Sequence, residues 1–417
     1  MTKKPDAPAI RFKGFSDAWE QRKAIDIADY SKGNGYSKGD LTDAGTPIIL
    51  YGRLYTKYQF AISEVDTFAV PRNGAVYSQG NEVIVPASGE TAEDIARASA
   101  VEKSGVLLGG DLNILRPFDF INPLFLALAI SNGEPQKELA KKAQGKSVVH
   151  IHNTDIQEVT IAYPSRTEQD RIVSVFRQLD HLITLHQRKF EKLTNVKKSM
   201  LEKMFPQNGC SYPEIRFKGF TDAWEQRKLT EFVEFFSGLT YTPNDVQENG
   251  TLVLRSSNVS NGEVVDADNI YVNPQVVNSE NVKVGDIVVV VRNGSRSLIG
   301  KHAQIKAFMP NTVIGAFMTG IRSECPEFTN ALLNTSRFEE EIAMNMGATI
   351  NQITGYMFSK MEFKVPCLDE QKKIGEYFEK LDNLITLHQR ELEKLQNIKK
   401  SMLEKMFVYG GTRKWES

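Results

Sequence analysis

The sequence predicts an α/β (α+β) fold in which two similar globular domains are separated by two long antiparallel coiled-coil helices. Three observations predict it. The chain contains an internal repeat of about 203 residues, each repeat ends in a long heptad pattern, and the segments between these patterns contain short buried-strand runs. Since each half supplies one domain and one helix, we also expect a pseudo-twofold relation between the halves.

The duplication is visible in two blocks that occur once in each half. The first block reads IRFKGFSDAWEQRK at Ile10–Lys23 and IRFKGFTDAWEQRK at Ile215–Lys228, so 13 of 14 positions agree. The second block covers Glu168–Phe205 and Glu370–Phe407, where 26 of 38 positions are identical. The segments between the blocks share little identity. We therefore expect two units that are built alike but present different side chains.

The second block predicts the helices, because its apolar residues recur at alternating steps of four and three. Such a seam, sustained over about five heptads, is typical of a coiled coil. A helix of about 39 residues is about 58 Å long. The predicted helix-pairing positions are Ile172, Phe176, Leu179, Ile183, His186, Phe190 and Leu193 in the first copy, and Ile374, Phe378, Leu381, Ile385, His388, Leu392 and Leu395 in the second.

Each predicted seam is interrupted by the same two polar residues. They are His186 with Lys197 in the first copy and His388 with Lys399 in the second. Polar seam residues lower stability but restrict register, and antiparallel pairing would bring the two histidines within about a turn of each other. A solvated seam position is the alternative. We predict no metal site, because two histidines make an incomplete ligand set.

These blocks define the expected domain organisation. The predicted segments are an N-terminal segment at 1–23, a globular domain at 24–165, a central helix at 166–206, a linker with the repeated block at 207–228, a second globular domain at 229–366, a C-terminal helix at 367–408 and a tail at 409–417. Buried strands are predicted at Val83–Val85 and Ile287–Val291, which are apolar runs bounded by turn residues.

Composition indicates an ordinary folded protein. Hydrophobic residues make up 41% and charged residues 25%, and the net charge is −1, so any affinity for nucleic acid must come from local clusters of charge. Three scattered cysteines argue against a disulfide framework. No apolar run follows the N-terminal lysines, and none is long enough to span a bilayer. We expect a soluble cytoplasmic protein.

The sequence carries no recognisable catalytic constellation. Residues 140–147 read AKKAQGKS and resemble the end of a phosphate-binding loop, but the first glycine is missing and the predicted order is helix–loop–strand rather than strand–loop–helix. Glu362-Phe363-Lys364 resembles part of a nuclease site, but no aspartate precedes it between positions 287 and 361, so a surface strand is the better interpretation. We therefore predict no catalytic residue, metal or cofactor in this chain.

The candidate functional residues are clusters of cations, aromatic residues and amides in predicted loops or strand ends. In the first domain they are Tyr51, Arg53, Tyr55, Lys57, Tyr58, Arg72, Asn73, Lys146, Ser147, His150 and His152. In the second domain they are Arg255, Ser256, Ser257, Asn258, Arg292, Asn293, Ser295, Arg296, Ser297, Thr349, Asn351 and Gln352.

These residue types are the ones that read DNA. Arginine forks onto guanine O6 and N7, asparagine and glutamine pair with adenine N6 and N7, and serine or lysine positions phosphates. Each cluster alone is also typical of an ordinary solvated surface. Corresponding positions in the two copies carry unlike polar sets, as two readers of different sequences would require.

The boundary between domain and helix resembles that of the DNA-specificity subunit of type I restriction–modification systems. The resemblance rests on the duplicated helices and on a motif that occurs twice. The motif is Pro164, Glu168-Gln169, Ile172, Phe176, Leu179-Asp180 and Leu182-Ile183, and it recurs at Pro366, Glu370-Gln371, Ile374, Phe378, Leu381-Asp382 and Leu384-Ile385.

The resemblance implies a function and a set of partners. It implies two target-recognition domains that each read one half of an interrupted double-stranded DNA site, and no catalysis by the chain itself. It further implies two methyltransferase subunits that use S-adenosylmethionine, and two restriction/translocase subunits that use ATP and Mg. Two half-sites lie on one DNA face when their centres are about 34–36 Å apart, which helices of this length can span.

One alternative from another functional class remains open at this point. The chain could be a coiled-coil scaffold whose globular domains bind proteins or glycans, and its near-neutral charge is compatible with that role. A scaffold, however, gives no reason to duplicate a unit and then diversify its arginine, asparagine and tyrosine positions. Salt-dependent retention of DNA would separate the two, because counterion release from DNA predicts a steep loss of binding as the salt concentration rises.

Overall fold

The computed structural model describes residues 8–143, 145, 148–207, 209–346 and 351–407. The chain divides into two compact units. Unit 1 comprises Met1–Leu185 with Glu391–Ser417, and unit 2 comprises His186–Arg390. Each unit therefore contains one globular domain together with part of both long helices. Within the described residues, no helix is both long and apolar enough to cross a membrane.

Unit 1 is built on two five-stranded sheets. The first has the spatial order Ala28–Lys32, Leu112–Pro117, Glu82–Pro86, Ser99–Val101 and Ala61–Ile62, and the second has the order Leu41–Thr42, Phe68–Ala69, Thr46–Ile49, Ser104–Leu108 and Tyr77–Gln79. Two small antiparallel pairs join Glu20–Lys23 to Thr160–Tyr163 and Ser88–Gly89 to Val149–His150. The shorter α-helices are Arg53–Thr56, Ala92–Ile95, Pro123–Ile130, Gly133–Lys142 and Asn153–Gln157.

Unit 2 repeats this plan with two four-stranded sheets. The first has the order Val233–Ser237, Met318–Ser323, Ile287–Val290 and His302–Gln304, and the second has the order Val246–Gln247, Ile270–Val272, Thr251–Leu254 and Thr312–Ile314. Two antiparallel pairs join Glu225–Lys228 to Glu362–Val365 and Val259–Ser260 to Glu263–Val264. The shorter α-helices are Pro326–Leu333, Ser336–Asn345 and Gly355–Phe358. The predicted buried strand at Val83–Val85 is confirmed, because it lies in the buried central strand Glu82–Pro86. The strand predicted at Ile287–Val291 is confirmed for Ile287–Val290, and Val291 is buried just beyond its end.

The two long helices are the central helix, Arg166–Met204, and the C-terminal helix, Leu368–Phe407. The central helix begins in the core of unit 1 and ends in the core of unit 2, whereas the C-terminal helix does the reverse. With two similar α/β domains, these helices confirm the predicted fold class. A 39-residue and a 40-residue helix also agree with the predicted length.

Pairing of the helix segments is antiparallel within each unit. In unit 2, the Nδ1 atoms of His186 and His388 lie 3.1 Å apart, and Lys197 forms a 2.6 Å ion pair with Asp382. Residue numbers therefore increase along one helix in the direction in which they decrease along the other, so the helices are antiparallel here. In unit 1, the equivalent lysine, Lys399, forms an ion pair with Asp180. The polar seam lysines therefore have defined carboxylate partners, and these partners are the aspartates of the duplicated Leu-Asp pair.

The predicted seam positions fall into two groups by exposure. Those nearest the domains are buried and belong to the domain cores, namely Ile172, Phe176, Ile374, Phe378 and Leu381. The remaining predicted positions are half-buried, namely Leu179, Ile183, His186, Phe190, Leu193, Ile385, His388, Leu392 and Leu395. Burial therefore decreases from the domain ends towards the middle of each helix, where a polar histidine is tolerated.

The histidine contact predicts an acid-sensitive unit 2. Burial lowers the pKa of His388, and the nearby His186 and Lys189 act in the same direction. The unfolded chain therefore takes up a proton at a higher pH than the folded protein does. We expect the stability of unit 2 to be constant above about pH 6.5 and to fall as the pH decreases below it. The unfolding midpoint, followed across this range, measures the effect.

The variant His388→Gln isolates the contribution of this histidine. It should lose part of the acid sensitivity but keep the rest, because burial also lowers the pKa of His302 in the same unit. A pH profile for the variant that coincides with that of the unaltered protein would contradict the role assigned to His388.

Candidate nucleic-acid interface

Three separate segments of the second domain meet at one place in unit 2. They are residues 255–258, which follow the strand Thr251–Leu254, residues 292–297, which follow the strand Ile287–Val290, and residues 351–352. The amide of Asn293 donates to Ser256 Oγ at 3.0 Å, which joins the first segment to the second. Arg292 forms a β-bridge with Gln352, and the amide of Asn351 donates to the Gly294 carbonyl at 3.0 Å.

The corresponding segments meet in unit 1 through different side chains. The hydroxyl of Tyr55, which follows the strand Thr46–Ile49, donates to the Ser88 carbonyl. The Ser88 hydroxyl lies 3.1 Å from His150 Nδ1, and Ser88 pairs with His150 in a short antiparallel ladder. Each domain thus uses three equivalent segments to form one surface, which we call its polar surface. Tyrosine, serine and histidine form it in the first domain, and arginine, serine, asparagine and glutamine form it in the second.

A fourth segment, which the sequence did not reveal, is a turn before a central strand. In the first domain the Asp111 carbonyl accepts from the Ala87 amide at 2.8 Å, and in the second the Phe317 carbonyl accepts from the Val291 amide at 3.0 Å. Both turns begin with a glycine, Gly109 or Gly315, whose amide donates to the end of the strand in the first segment. The two turns therefore make the same two backbone hydrogen bonds, but Asp111 has a positive φ and Phe317 does not. The turn presents an exposed aspartate in the first domain and an exposed phenylalanine in the second.

Several first-domain candidates are already paired within the protein. Arg53 has a side chain that is 9% exposed and forms a 2.5 Å ion pair with Asp66, which Lys57 also contacts at 2.6 Å. These two cations hold the pKa of Asp66 well below its usual range, with the Lys57 contact the larger cause. Tyr58 donates to the Ala98 carbonyl, and Tyr51 is exposed against the edge of the Tyr55 ring.

Arg72 and Asn73 lie in a different cluster of the first domain. The Arg72 guanidinium pairs with Asp40 and covers the Tyr36 ring at 5.2 Å. The backbone amide of Ser37, followed by Arg72, lowers the pKa of Asp40 to about 2. Asn73 is exposed beside this cluster. The structure therefore does not bring these two residues together with Tyr55 and His150 by any hydrogen bond among the described residues.

Two of the remaining first-domain candidates, His150 and His152, lie at or just after the end of the short strand Val149–His150. His150 is exposed and contacts Ser88, as described above. His152 precedes the helix Asn153–Gln157, and its backbone amide donates to the Asp155 carboxylate at 2.8 Å. Lys146 and Ser147, together with Thr349 of the second domain, lie outside the described residues.

In the second domain, two candidates help to hold the loop that carries them. Asn258 is fully buried, and its amide nitrogen donates to the Ala267 carbonyl at 2.7 Å and to Asn269 Oδ1 at 2.9 Å. Arg255 donates to the carbonyl and the carboxylate of Asp268, both at 2.6 Å. Sequence reasoning could not separate these residues from the surface ones, since a polar residue in a loop has the same local pattern either way.

The other second-domain candidates are exposed or half-buried. Arg292 is exposed, and its guanidinium lies 5.0 Å from the centre of the Phe317 ring, which fixes its direction. Arg296 and Ser257 are exposed, and the hydroxyls of Ser295 and Ser297 lie 2.9 Å apart. Asn351 and Gln352 are half-buried. An arginine held beside an aromatic ring is partly oriented in advance for bidentate hydrogen bonding.

The duplicated Glu-Gln pair proves to be the anchor of each long helix. Glu168 is 1% exposed and receives two 2.8 Å hydrogen bonds from Arg11 of the first repeated block. Glu370 and Arg216 form the equivalent pair with two 2.7 Å bonds. Gln169 donates to the Pro164 carbonyl at 2.9 Å. This arrangement explains why the two blocks recur together, since each supplies one half of a buried ion pair.

The geometry of the described residues gives no support for a metal site. Among the described residues, no group of three or more histidine, cysteine, aspartate or glutamate side chains is arranged to hold a metal ion. The two seam histidines contact each other without a third ligand from these residue types.

Comparison with known proteins agrees with this architecture. The family described as type I restriction modification DNA specificity domain matches residues 16–195 and 221–397. The chain is 24% identical over 345 residues to the type I restriction enzyme MjaVIII specificity subunit of Methanocaldococcus jannaschii, covering 79% of each chain. It is 25% identical over 313 residues to a putative MjaX specificity subunit from the same organism, covering 72% of this chain and 70% of that one.

A solved structure has the same fold. The crystal structure of the type I restriction–modification system S subunit from M. genitalium superposes with a TM-score of 0.67 at 15% identity, covering 97% of this chain and all of that one. At this identity the likeness speaks for the fold alone. The family match covers two segments that together make up most of the chain, one in each half. The chain therefore belongs to the family of type I restriction–modification DNA specificity subunits.

Proposed function

We propose that this chain reads a bipartite double-stranded DNA target, with each globular domain reading one half. The observation that carries the proposal is the pair of polar surfaces, which equivalent segments build from unlike side chains. One scaffold with two sets of reading residues is what recognition of an asymmetric site requires. The chain itself contributes recognition and no bond-making step.

The exposed or half-buried residues of each polar surface are the strongest candidates for base contact. In the second domain, Arg292 and Arg296 can fork onto guanine, and Gln352 can pair with adenine. In the first domain, Tyr51, Lys57 and His150 are accessible. Arg53, Arg255 and Asn258 hold their loops in shape, and they would contact DNA only after exchanging their present partners.

The long helices supply the spacing and the docking surface in this proposal. Their duplicated sequence suits a constant role beside two domains whose sequences differ. They would set the unread gap between the half-sites and dock two methyltransferase subunits, with two restriction/translocase subunits completing the assembly. S-adenosylmethionine, ATP and Mg would be used by these partners, which accords with the absence of a recognisable catalytic motif in this sequence.

Exchange of one domain tests the proposal. Residues 229–366 are replaced by the corresponding segment of a relative, and the methylated adenines are mapped in cells that also contain the modification subunits. We expect one half of the methylated motif to change completely and the other half to stay the same. Exchange of residues 24–165 is the reciprocal control and should alter the opposite half. A change in both halves after either exchange would contradict the assignment.

A further inference from the structure

Phe317 is a solvent-facing aromatic residue inside the polar surface of the second domain. Its side chain is 54% exposed, although it follows a strand whose apolar residues are buried. The backbone of this residue is nevertheless anchored by hydrogen bonds. Its carbonyl accepts hydrogen bonds from the amides of Val291 and Arg292, at 3.0 and 3.2 Å. An exposed apolar ring beside polar groups can contact a ligand that has a matching apolar feature.

The ring and Arg292 act as one unit. The Arg292 guanidinium lies 5.0 Å from the ring centre, where a cation–π interaction holds it beside the ring. Its N–H donors remain available for hydrogen bonds to a ligand. Arg292 has no carboxylate partner among the ion pairs of the described residues. The pair therefore presents a donor fork and an apolar ring side by side.

We propose that Phe317 is a specificity-determining residue that contacts the 5-methyl group of a thymine beside the base read by Arg292. The inference rests on the proposed function and extends it to a single chemical group. In the major groove, the thymine methyl is the one apolar feature of the base edges, and phenylalanine is among the side chains that contact it. Arginine reads the neighbouring hydrogen-bond acceptors.

The first domain presents a different exposed side chain at the equivalent position. The equivalent turn places Asp111 where the second domain has Phe317, with the same backbone hydrogen bond behind it. Asp111 has a φ of 57°, a left-handed conformation that aspartate tolerates. Both side chains are exposed, so neither belongs to a hydrophobic core. An acidic side chain instead accepts from cytosine N4, which suits a different base at this place.

The test uses the full chain assembled with its modification subunits and duplexes carrying the methylated target. Each thymine of the half-site assigned to the second domain is replaced in turn by uracil, which removes only the methyl group. We expect one replacement to weaken binding about fourfold, the equivalent of about 0.8 kcal/mol for one buried methyl group. In the variant Phe317→Ala, thymine and uracil duplexes should bind equally, whereas Phe317→Leu should keep part of the preference.

Phe308 provides the matched control. It is 80% exposed in the same unit, and the variant Phe308→Ala should retain the full preference for thymine. The inference is overturned if Phe317→Ala still distinguishes thymine from uracil, or if no replacement weakens binding by the unaltered protein. These results would leave the proposed function intact as long as the target outcompetes scrambled DNA. Loss of that competition in the unaltered protein would overturn the proposed function and this inference together.

Discussion

Replacement of Phe407 by alanine is expected to destabilise unit 1 by about 3–5 kcal/mol, the usual cost of removing a buried phenylalanine ring. Phe407 is 1% exposed at the end of the C-terminal helix. Its ring lies 5.8 Å from that of Phe125 and 6.1 Å from that of Phe176. The last turn of the chain's last described helix is thus part of the core of the first domain.

The duplication provides an internal control for this prediction. Phe205 ends the central helix and packs in unit 2 against Trp224, Phe328 and Phe378, at 5.7 to 6.0 Å between ring centres. Phe205→Ala should destabilise unit 2 by a similar amount and leave unit 1 unchanged. Hydrogen exchange resolved along the chain measures both effects in one experiment. Equal destabilisation of both units by either variant would contradict the assignment of each helix end to one core.

The periodic features of this fold could be predicted from sequence. The heptad seam repeats every seven residues and the duplication repeats every half chain, so each position supports the others. The buried strands Glu82–Pro86 and Ile287–Val290 were recognisable for the same reason, as apolar runs between turn residues. Burial of one helical face or of both sheet faces leaves a regular pattern in the chain.

Contacts between distant residues left no such pattern. The Arg11–Glu168 pair joins residues 157 positions apart. The recurrence of both blocks was the only feature of the sequence that linked these two residues. The Lys197–Asp382 ion pair gives a specific partner to a lysine that interrupts the apolar seam. Neither could be predicted, because a local sequence pattern does not state which distant charge will be adjacent after folding.

The candidate site was predictable in composition but not in detail. Sequence reasoning selected residues by type and could not see that Asn258 is buried while Arg292 is exposed. It also passed over Phe317 and Asp111, because a single residue in a turn has no periodicity and an isolated phenylalanine reads as core. The surface became visible only when three-dimensional structure placed four short segments side by side.

The length of the paired helices tests the central claim most directly. Duplicating residues 183–189 in the central helix and 385–391 in the C-terminal helix adds one heptad to each and keeps the antiparallel register. Seven helical residues add about 10.5 Å, which corresponds to about three base pairs of straight DNA. Recognition of the original target should therefore be lost altogether.

Mapping of methylated adenines reads out this experiment, with a variant that carries the extra heptad in only one helix as the control for disrupted pairing. If the helices separate two independent reading domains, the doubly extended protein will modify a motif whose two halves are unchanged and whose gap is longer by about three base pairs. An unchanged gap, or a change in the sequence of either half, would contradict the account.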